Sequence, residues 1–105
     1  MLRLTGKNFR QEVINSKNPV MVEFYSRHCS KCAMMEEVVD SLEERLCEKV
    51  KFGIVNIDES KELEAEYEIE IVPTFMIFKN GMAVGCMIGV VDEYTIEDRI
   101  EEMIS

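Results

Sequence analysis

The chain has 105 residues, the size of one ordinary domain, and 47% of them are hydrophobic, enough for a buried core without disulfides or metals. Its formal net charge of −9 argues against nucleic-acid binding, because such binding needs a basic surface. No apolar run approaches the roughly 18 residues of a membrane helix and no signal peptide is visible, so we expect a cytoplasmic protein without membrane contact.

Two strands and two helices are predicted in the first half of the chain. Residues 2–4 form a short strand, and residues 5–14 form a helix with one apolar face. Residues 20–25 are apolar except for Glu23, which is the pattern of a strand that is buried on both faces. Apolar residues at helical spacing then predict a helix over residues 32–47.

The second half continues the alternation of strands and helices. It contains a strand at 51–57, an acidic helix at 62–67, strands at 74–78 and 82–88 joined by a tight turn, and a helix that starts near Thr95. Strands that alternate with helices predict a parallel sheet, to which the final hairpin adds an antiparallel edge. We therefore expect one α/β domain over residues 1–105, with a central five-stranded mixed sheet flanked by four helices.

Cys29 and Cys32 form a CxxC motif between a strand and the helix that follows it. Open α/β sheets place their reactive groups at this edge. The first turn of a helix carries free N–H groups and partial positive charge, which favour the thiolate of Cys29, and Lys31 adds a cation. Cys32, one turn further, can attack a mixed disulfide that Cys29 has formed. The pair is predicted to exchange disulfides without a cofactor.

Two other interpretations of the CxxC motif remain open from the sequence, namely half of a zinc site and a non-catalytic pair. Tetrahedral zinc usually takes four ligands in two close pairs. The other cysteines, Cys47 and Cys86, are single and far apart in the sequence. We therefore expect no metal site, and we interpret Cys47 as a free thiol and Cys86 as a small apolar residue.

Two further residues are unusual for their surroundings. Glu23 is a lone carboxylate in an apolar strand, where its pKa should be raised, and a raised pKa suits proton transfer. Pro73 opens a strand, and a cis peptide bond is one reason for a proline at such a position.

From Leu2 to Ile104 the chain resembles a thioredoxin. The resemblance rests on five landmarks in order, which are LT at 4–5, VEF at 22–24, CxxC at 29–32, NID at 56–58, and VPTFMIFKNG at 72–81 with Gly89 beyond. It implies the thioredoxin fold and a thiol-disulfide oxidoreductase that reduces protein disulfides. It also implies a thioredoxin-reductase-type electron donor, and we expect a monomer.

The resemblance assigns roles to single residues. It implies that Cys29 is the nucleophile, that Cys32 is the resolving thiol, and that Glu23 exchanges a proton with Cys32. Pro73 would be the cis-proline that faces both sulfurs. Substrate binding would fall to Tyr25, Val72, Pro73 and Gly89, with the Val72 backbone pairing with an extended substrate segment.

The loop around the cysteines departs from the familiar WCGPC of the family. His28, Ser30 and Lys31 replace its tryptophan, glycine and proline, and we expect these three residues to modulate the reactivity of the pair. The unusual loop also motivates two alternatives. One is an electron carrier dedicated to a single partner enzyme, and the other is a binding module that uses the fold without turnover.

Overall fold

A computed structural model describes all residues 1–105 and has five strands in a single mixed sheet. The strands are β1 (Leu2–Leu4), β2 (Val20–Tyr25), β3 (Lys51–Asn56), β4 (Thr74–Lys79) and β5 (Met82–Ile88). They lie in the order β1-β3-β2-β4-β5, in which β3 runs parallel to β1 and β2, and β4 runs antiparallel to β2 and β5. The predicted mixed sheet with an antiparallel edge is confirmed.

Four helices connect or follow these strands. They are a π-helix (Arg10–Ile14), α1 (Ser30–Leu46), α2 (Lys61–Glu66) and α3 (Glu93–Ile104). The prediction of an α/β fold with five strands and four helices is therefore confirmed. None of the helices has the length and apolar character that crossing a membrane demands.

The predicted helix over residues 5–14 is wrong in its extent and in its hydrogen bonding. The carbonyl of Thr5 accepts bonds from the N–H groups of Asn8 and Phe9, which makes a tight turn there. The following π-helix includes an N–H of Asn15 that donates to the carbonyl of Arg10, five residues earlier, at 2.8 Å. Phe9 and Val13 are nevertheless both buried, so the predicted apolar face is correct.

Both faces of the sheet are covered, which explains the nearly continuous apolar run of β2. Val20, Val22 and Phe24 belong to a core cluster with residues of the π-helix and α2. Met21 belongs to a second cluster, formed with α1 and α3. Side chains alternate along a strand, so Glu23 shares the face of Met21 and points towards α1.

The antiparallel pairing of β4 with β2 positions the functional site. Phe24 near the end of β2 pairs with Thr74 at the start of β4. The segment before β4 therefore lies beside the loop after β2. Val72 is brought next to Cys29 in this way, although the two residues are 43 positions apart in the sequence.

Candidate active site

Cys29 occupies the N-cap of α1, directly after the loop that leaves β2. Its backbone is extended, with φ −109° and ψ 110°, and its Sγ accepts a hydrogen bond from the N–H of Cys32 at 3.1 Å. The sulfur thus takes the place of the oxygen that usually caps a helix. The first N–H groups of a helix lack partners within the helix, and the N–H of Cys32 finds its acceptor in this sulfur.

Cys32 lies in the first turn of α1 and is only 7% exposed. Burial raises the pKa of its thiol to about 12, and the hydrogen bond with Cys29 and the charges of Cys29 and Glu23 act in the same direction. A hydrogen bond with the backbone of Ser26 opposes this rise. Both cysteines are free thiols. Near neutral pH Cys32 therefore keeps its proton unless a base removes it.

The segment before β4 contacts Cys29. The Val72–Pro73 peptide bond is cis. The thiol of Cys29 donates to the carbonyl of Val72 at 3.5 Å. The N–H of Gly89 donates to the carbonyl of Pro73 at 2.8 Å, which joins this segment to the end of β5. Gly89 has φ +81°, and no atom lies within 4 Å of where its Cβ would be.

Glu23 lies beneath the cysteines in the middle of the sheet and is 6% exposed. Its partners in the strand register are Ile54 of β3 and Phe75 of β4. Burial, and to a smaller extent the negative charges of Glu36 and Asp40, raise the pKa of its carboxyl to about 7. A carboxyl group with this pKa can both accept and release a proton near neutral pH.

A cleft of about 350 Å³ connects Glu23 and Cys32 with the surface. It is lined by Met1, Glu23, Tyr25, Ser26, Arg27, Cys29, Cys32, Ala33, Glu36, Asp40 and Ile54. Both sulfurs and the buried acid therefore border the same cleft, which is large enough to admit water and so to let a proton move. The described residues include no group of three or more side chains arranged to hold a metal ion.

The structure thus brings together most of the residues predicted from the sequence. Cys29, Cys32, Glu23 and Tyr25 line the cleft, and the segment with Val72, Pro73 and Gly89 adjoins Cys29. The three predicted loop modulators, His28, Ser30 and Lys31, are exposed at the surface around the pair.

Three residues of this region were missed by the sequence analysis. Glu36 and Asp40 follow Cys32 at intervals of four, so the helical period already places all three on one face of α1. Ser26 donates to Asp58 at 2.8 Å and accepts from the N–H of His28 at 3.3 Å, which fixes the loop before Cys29. No sequence pattern indicated that contact.

Comparison with known proteins agrees with this geometry. The family model described as thioredoxin matches residues 1–102. The chain is 39% identical to a thioredoxin of Porphyra purpurea, over 98% of this chain and 96% of that protein. It is 36% identical to thioredoxin 1 of a Nostoc species, over 95% and 94% of the two chains, and 37% identical to a thioredoxin of Rickettsia prowazekii, over 96% of each. The chain therefore belongs to the thioredoxin family, and with its two thiols at the N-terminal end of α1 it is a thiol-disulfide oxidoreductase.

Proposed function

We propose that this protein reduces disulfide bonds of other proteins in the cytoplasm, with Cys29 as the nucleophile and Cys32 as the resolving thiol. One observation carries the proposal. The half-buried sulfur of Cys29 caps α1 and accepts the Cys32 N–H at 3.1 Å, while Cys32 itself is buried one turn behind it. This difference in exposure gives each sulfur one step of the exchange.

In the first step, the thiolate of Cys29 attacks one sulfur of the substrate disulfide. A bond forms between Cys29 and that sulfur, and the substrate S–S bond breaks. The electron pair leaves on the second substrate sulfur, which takes a proton from water. The N–H groups at the start of α1 favour the attacking anion.

In the second step, Glu23 takes the proton of Cys32 through the cleft that both side chains line. The thiolate of Cys32 then attacks Cys29, so that the Cys29–Cys32 disulfide forms and the mixed disulfide breaks. The substrate leaves with both sulfurs reduced, having received two electrons from the pair. Burial disfavours the thiolate of Cys32, and Glu23, which lines the same cleft and has a pKa of about 7, is the base that can take the proton as the attack proceeds.

We assign substrate binding to Tyr25, Val72, Pro73 and Gly89. The carbonyl of Val72 lies 3.5 Å from the Cys29 sulfur, and residues 71–73 precede the sheet pairing of β4. A backbone in this position can pair with an extended substrate segment. The open space above Gly89 leaves room for that segment.

Turnover requires an electron donor that reopens the Cys29–Cys32 disulfide, and we propose an enzyme of the thioredoxin-reductase type. The exchange itself uses only sulfur atoms and protons, so the proposal includes no cofactor. We further propose that the protein acts as a monomer, and that His28, Ser30 and Lys31 adapt the pair to its partners through their exposed positions.

The roles of the two cysteines can be separated by substituting each of them. We expect Cys29→Ser to lower the rate of insulin disulfide reduction to the background level, because the attacking sulfur is lost. Cys32→Ser should retain the first step and accumulate mixed disulfides with substrate proteins, which non-reducing electrophoresis detects. Cys47→Ser is the matched control and should reduce insulin at the unaltered rate.

Activity that survives in Cys29→Ser would contradict the proposal. The range of proteins trapped by Cys32→Ser also tests the substrate class. Many trapped proteins support a general reductant. A single trapped protein, together with slow insulin reduction, would instead identify an electron carrier dedicated to one partner. The unusual sequence of the His28–Cys32 loop is the reason for testing this alternative.

A further inference from the structure

The cleft beside the cysteines contains more carboxylates than the proposed chemistry uses. Glu23 is buried at its inner end, whereas Glu36 and Asp40, which also line it, are exposed. Glu36 follows Cys32 by one helical turn and Asp40 follows Glu36 by another, so α1 directs a row of acidic side chains along the route from Glu23 to solvent.

The cations that border the cleft lie close to other carboxylates. Arg27 is 3.9 Å from Glu59, and the amino group of Met1 is 3.3 Å from Glu43. The sheet strands on either side of Glu23 contribute only the apolar residues Ile54 and Phe75. The titratable groups that line the cleft with Glu23 are Met1, Tyr25, Arg27, Cys29, Cys32, Glu36 and Asp40.

The acidic side chains do not form a metal site, since no three of them are placed to hold an ion. Their effect on Glu23 is instead that of uncompensated negative charge. Two carboxylates that share a space disfavour ionisation of the more buried one. The charge of Glu36 and then that of Asp40 add to burial in raising the pKa of Glu23 to about 7.

We propose that Glu36, supported by Asp40, is a positioning residue for the resolving step, because its carboxylate at the mouth of the cleft controls how Glu23 gains and loses the proton that Cys32 releases. This inference rests on the proposed role of Glu23. The proton moves from the Cys32 sulfur to the Glu23 carboxylate and then to water at the mouth of the cleft. The electron pair left on Cys32 forms the bond to Cys29.

The test uses the chromogenic disulfide DTNB with the full chain in stopped flow. Attack by Cys29 releases one coloured thiolate, and attack by Cys32 on the mixed disulfide releases the second. The two phases therefore report the two steps separately. The informative variants are Glu36→Gln, Glu36→Asp, and Glu37→Gln as a control that makes the same charge change on the same helix outside the cleft.

The second phase should accelerate as pH rises, because Glu23 must be ionised to accept a proton. Removing the charge of Glu36 lowers the pKa of Glu23, so the rise should move to lower pH. We expect the ratio of second-phase rates at about pH 6 and about pH 8 to increase about twofold to fivefold in Glu36→Gln. Glu36→Asp and Glu37→Gln should retain the unaltered profile, and the first phase should be unaffected in all three variants.

Glu23→Gln separates a failure of this inference from a failure of the proposed function. If Glu23→Gln leaves the second-phase profile unaltered, the proton role of Glu23 is wrong and this inference fails with it. If Glu23→Gln removes the pH dependence but Glu36→Gln behaves like Glu37→Gln, only the role of Glu36 is overturned. If the role is correct, Glu36→Gln has no further effect in a Glu23→Gln background.

Discussion

The two cysteine side chains of this site differ in exposure and in hydrogen bonding, although they are chemically identical. Cys29 is half-buried and accepts an N–H bond at the start of α1, whereas Cys32 is buried and has a pKa raised to about 12. Glu23 lines the same cleft as both cysteines, and the pKa of its carboxyl is raised to about 7. In the proposed mechanism, this difference in exposure sets the order of attack, and the buried acid serves as the base for the second attack.

The raised pKa of Glu23 makes stability depend on pH. The folded value is about 7 and the ordinary value is 4.5, so the folded state holds this proton more tightly than the unfolded state does. As pH rises between those values, the ionisation of Glu23 should lower the free energy of unfolding of the wild type by a total of about 3 kcal/mol. Glu23→Gln has no charge to bury, so its stability should exceed that of the wild type at about pH 8 and approach it at about pH 4.

Denaturant unfolding of both reduced proteins at the two pH values measures this difference. All other groups titrate in both proteins, so their contributions cancel in the comparison. A stability difference between Glu23→Gln and wild type that is the same at both pH values would show that Glu23 ionises as freely in the fold as in the unfolded chain.

The sequence predicted the central residues of the site but not those around them. Cys29, Cys32 and Glu23 contrast with their neighbours in type, so they were visible as isolated chemical groups. Glu36 and Asp40 were not, because acidic residues on a helix are usually solvent-exposed and both are in fact exposed. Their proposed role depends on lining the same cleft as Glu23, and that placement comes from the packing of α1 on the sheet.

At the scale of elements, strands were predicted more accurately than helix starts. The bounds of β2 and β5 agree with the prediction, because apolar runs and tight turns mark both ends. The start of α3 was placed near Thr95, but the helix begins at Glu93. Asp92 caps it by accepting bonds from the N–H groups of Tyr94 and Thr95 at 3.1 and 3.3 Å. A short polar residue in a loop did not reveal this role by itself.

The cap at Asp92 gives a prediction for the stability of α3. Asp92→Ala should lower the free energy of unfolding by about 1 kcal/mol, because two N–H groups lose their acceptor. Asp92→Asn keeps an oxygen acceptor and is the control, with a smaller loss. Chemical denaturation of the three proteins measures the difference. Equal stability of Asp92→Ala and wild type would contradict the capping role.

At the scale of the whole molecule, the sheet separates two apolar cores. One lies against α1 and α3, and the other lies against the π-helix and α2. The sequence predicted that β2 is buried on both faces, but the order β1-β3-β2-β4-β5 did not follow from periodicity. An apolar pattern shows that a strand is covered on both faces and does not show which strands are its neighbours.

Separate cores predict independent energetics. Ile100 belongs to the first cluster and Ile69 to the second. Each Ile→Val substitution should cost about 1 kcal/mol, and the double variant should equal the sum within about 0.5 kcal/mol. Thermodynamic cycles from urea unfolding measure the coupling. The control pair is Ile96→Val with Ile100→Val, since both residues belong to one cluster and lie on α3. If the coupling energy between Ile69 and Ile100 were as large as that between Ile96 and Ile100, the sheet would not isolate the two cores.

The placement of Cys32 directly behind Cys29 has a consequence under oxidative stress. Peroxide would convert the accessible sulfur of Cys29 to a sulfenic acid, which further oxidation makes irreversible. The backbone N–H of Cys32 already contacts that sulfur, so the Cys32 thiol lies nearby. It can attack the sulfenic acid, displace water and form the Cys29–Cys32 disulfide before further oxidation occurs. Cys47, at the end of α1, and Cys86, in β5, are exposed, and neither has a second cysteine three residues away. The arrangement that lets the pair release its substrate in the proposed mechanism should therefore also protect it from over-oxidation.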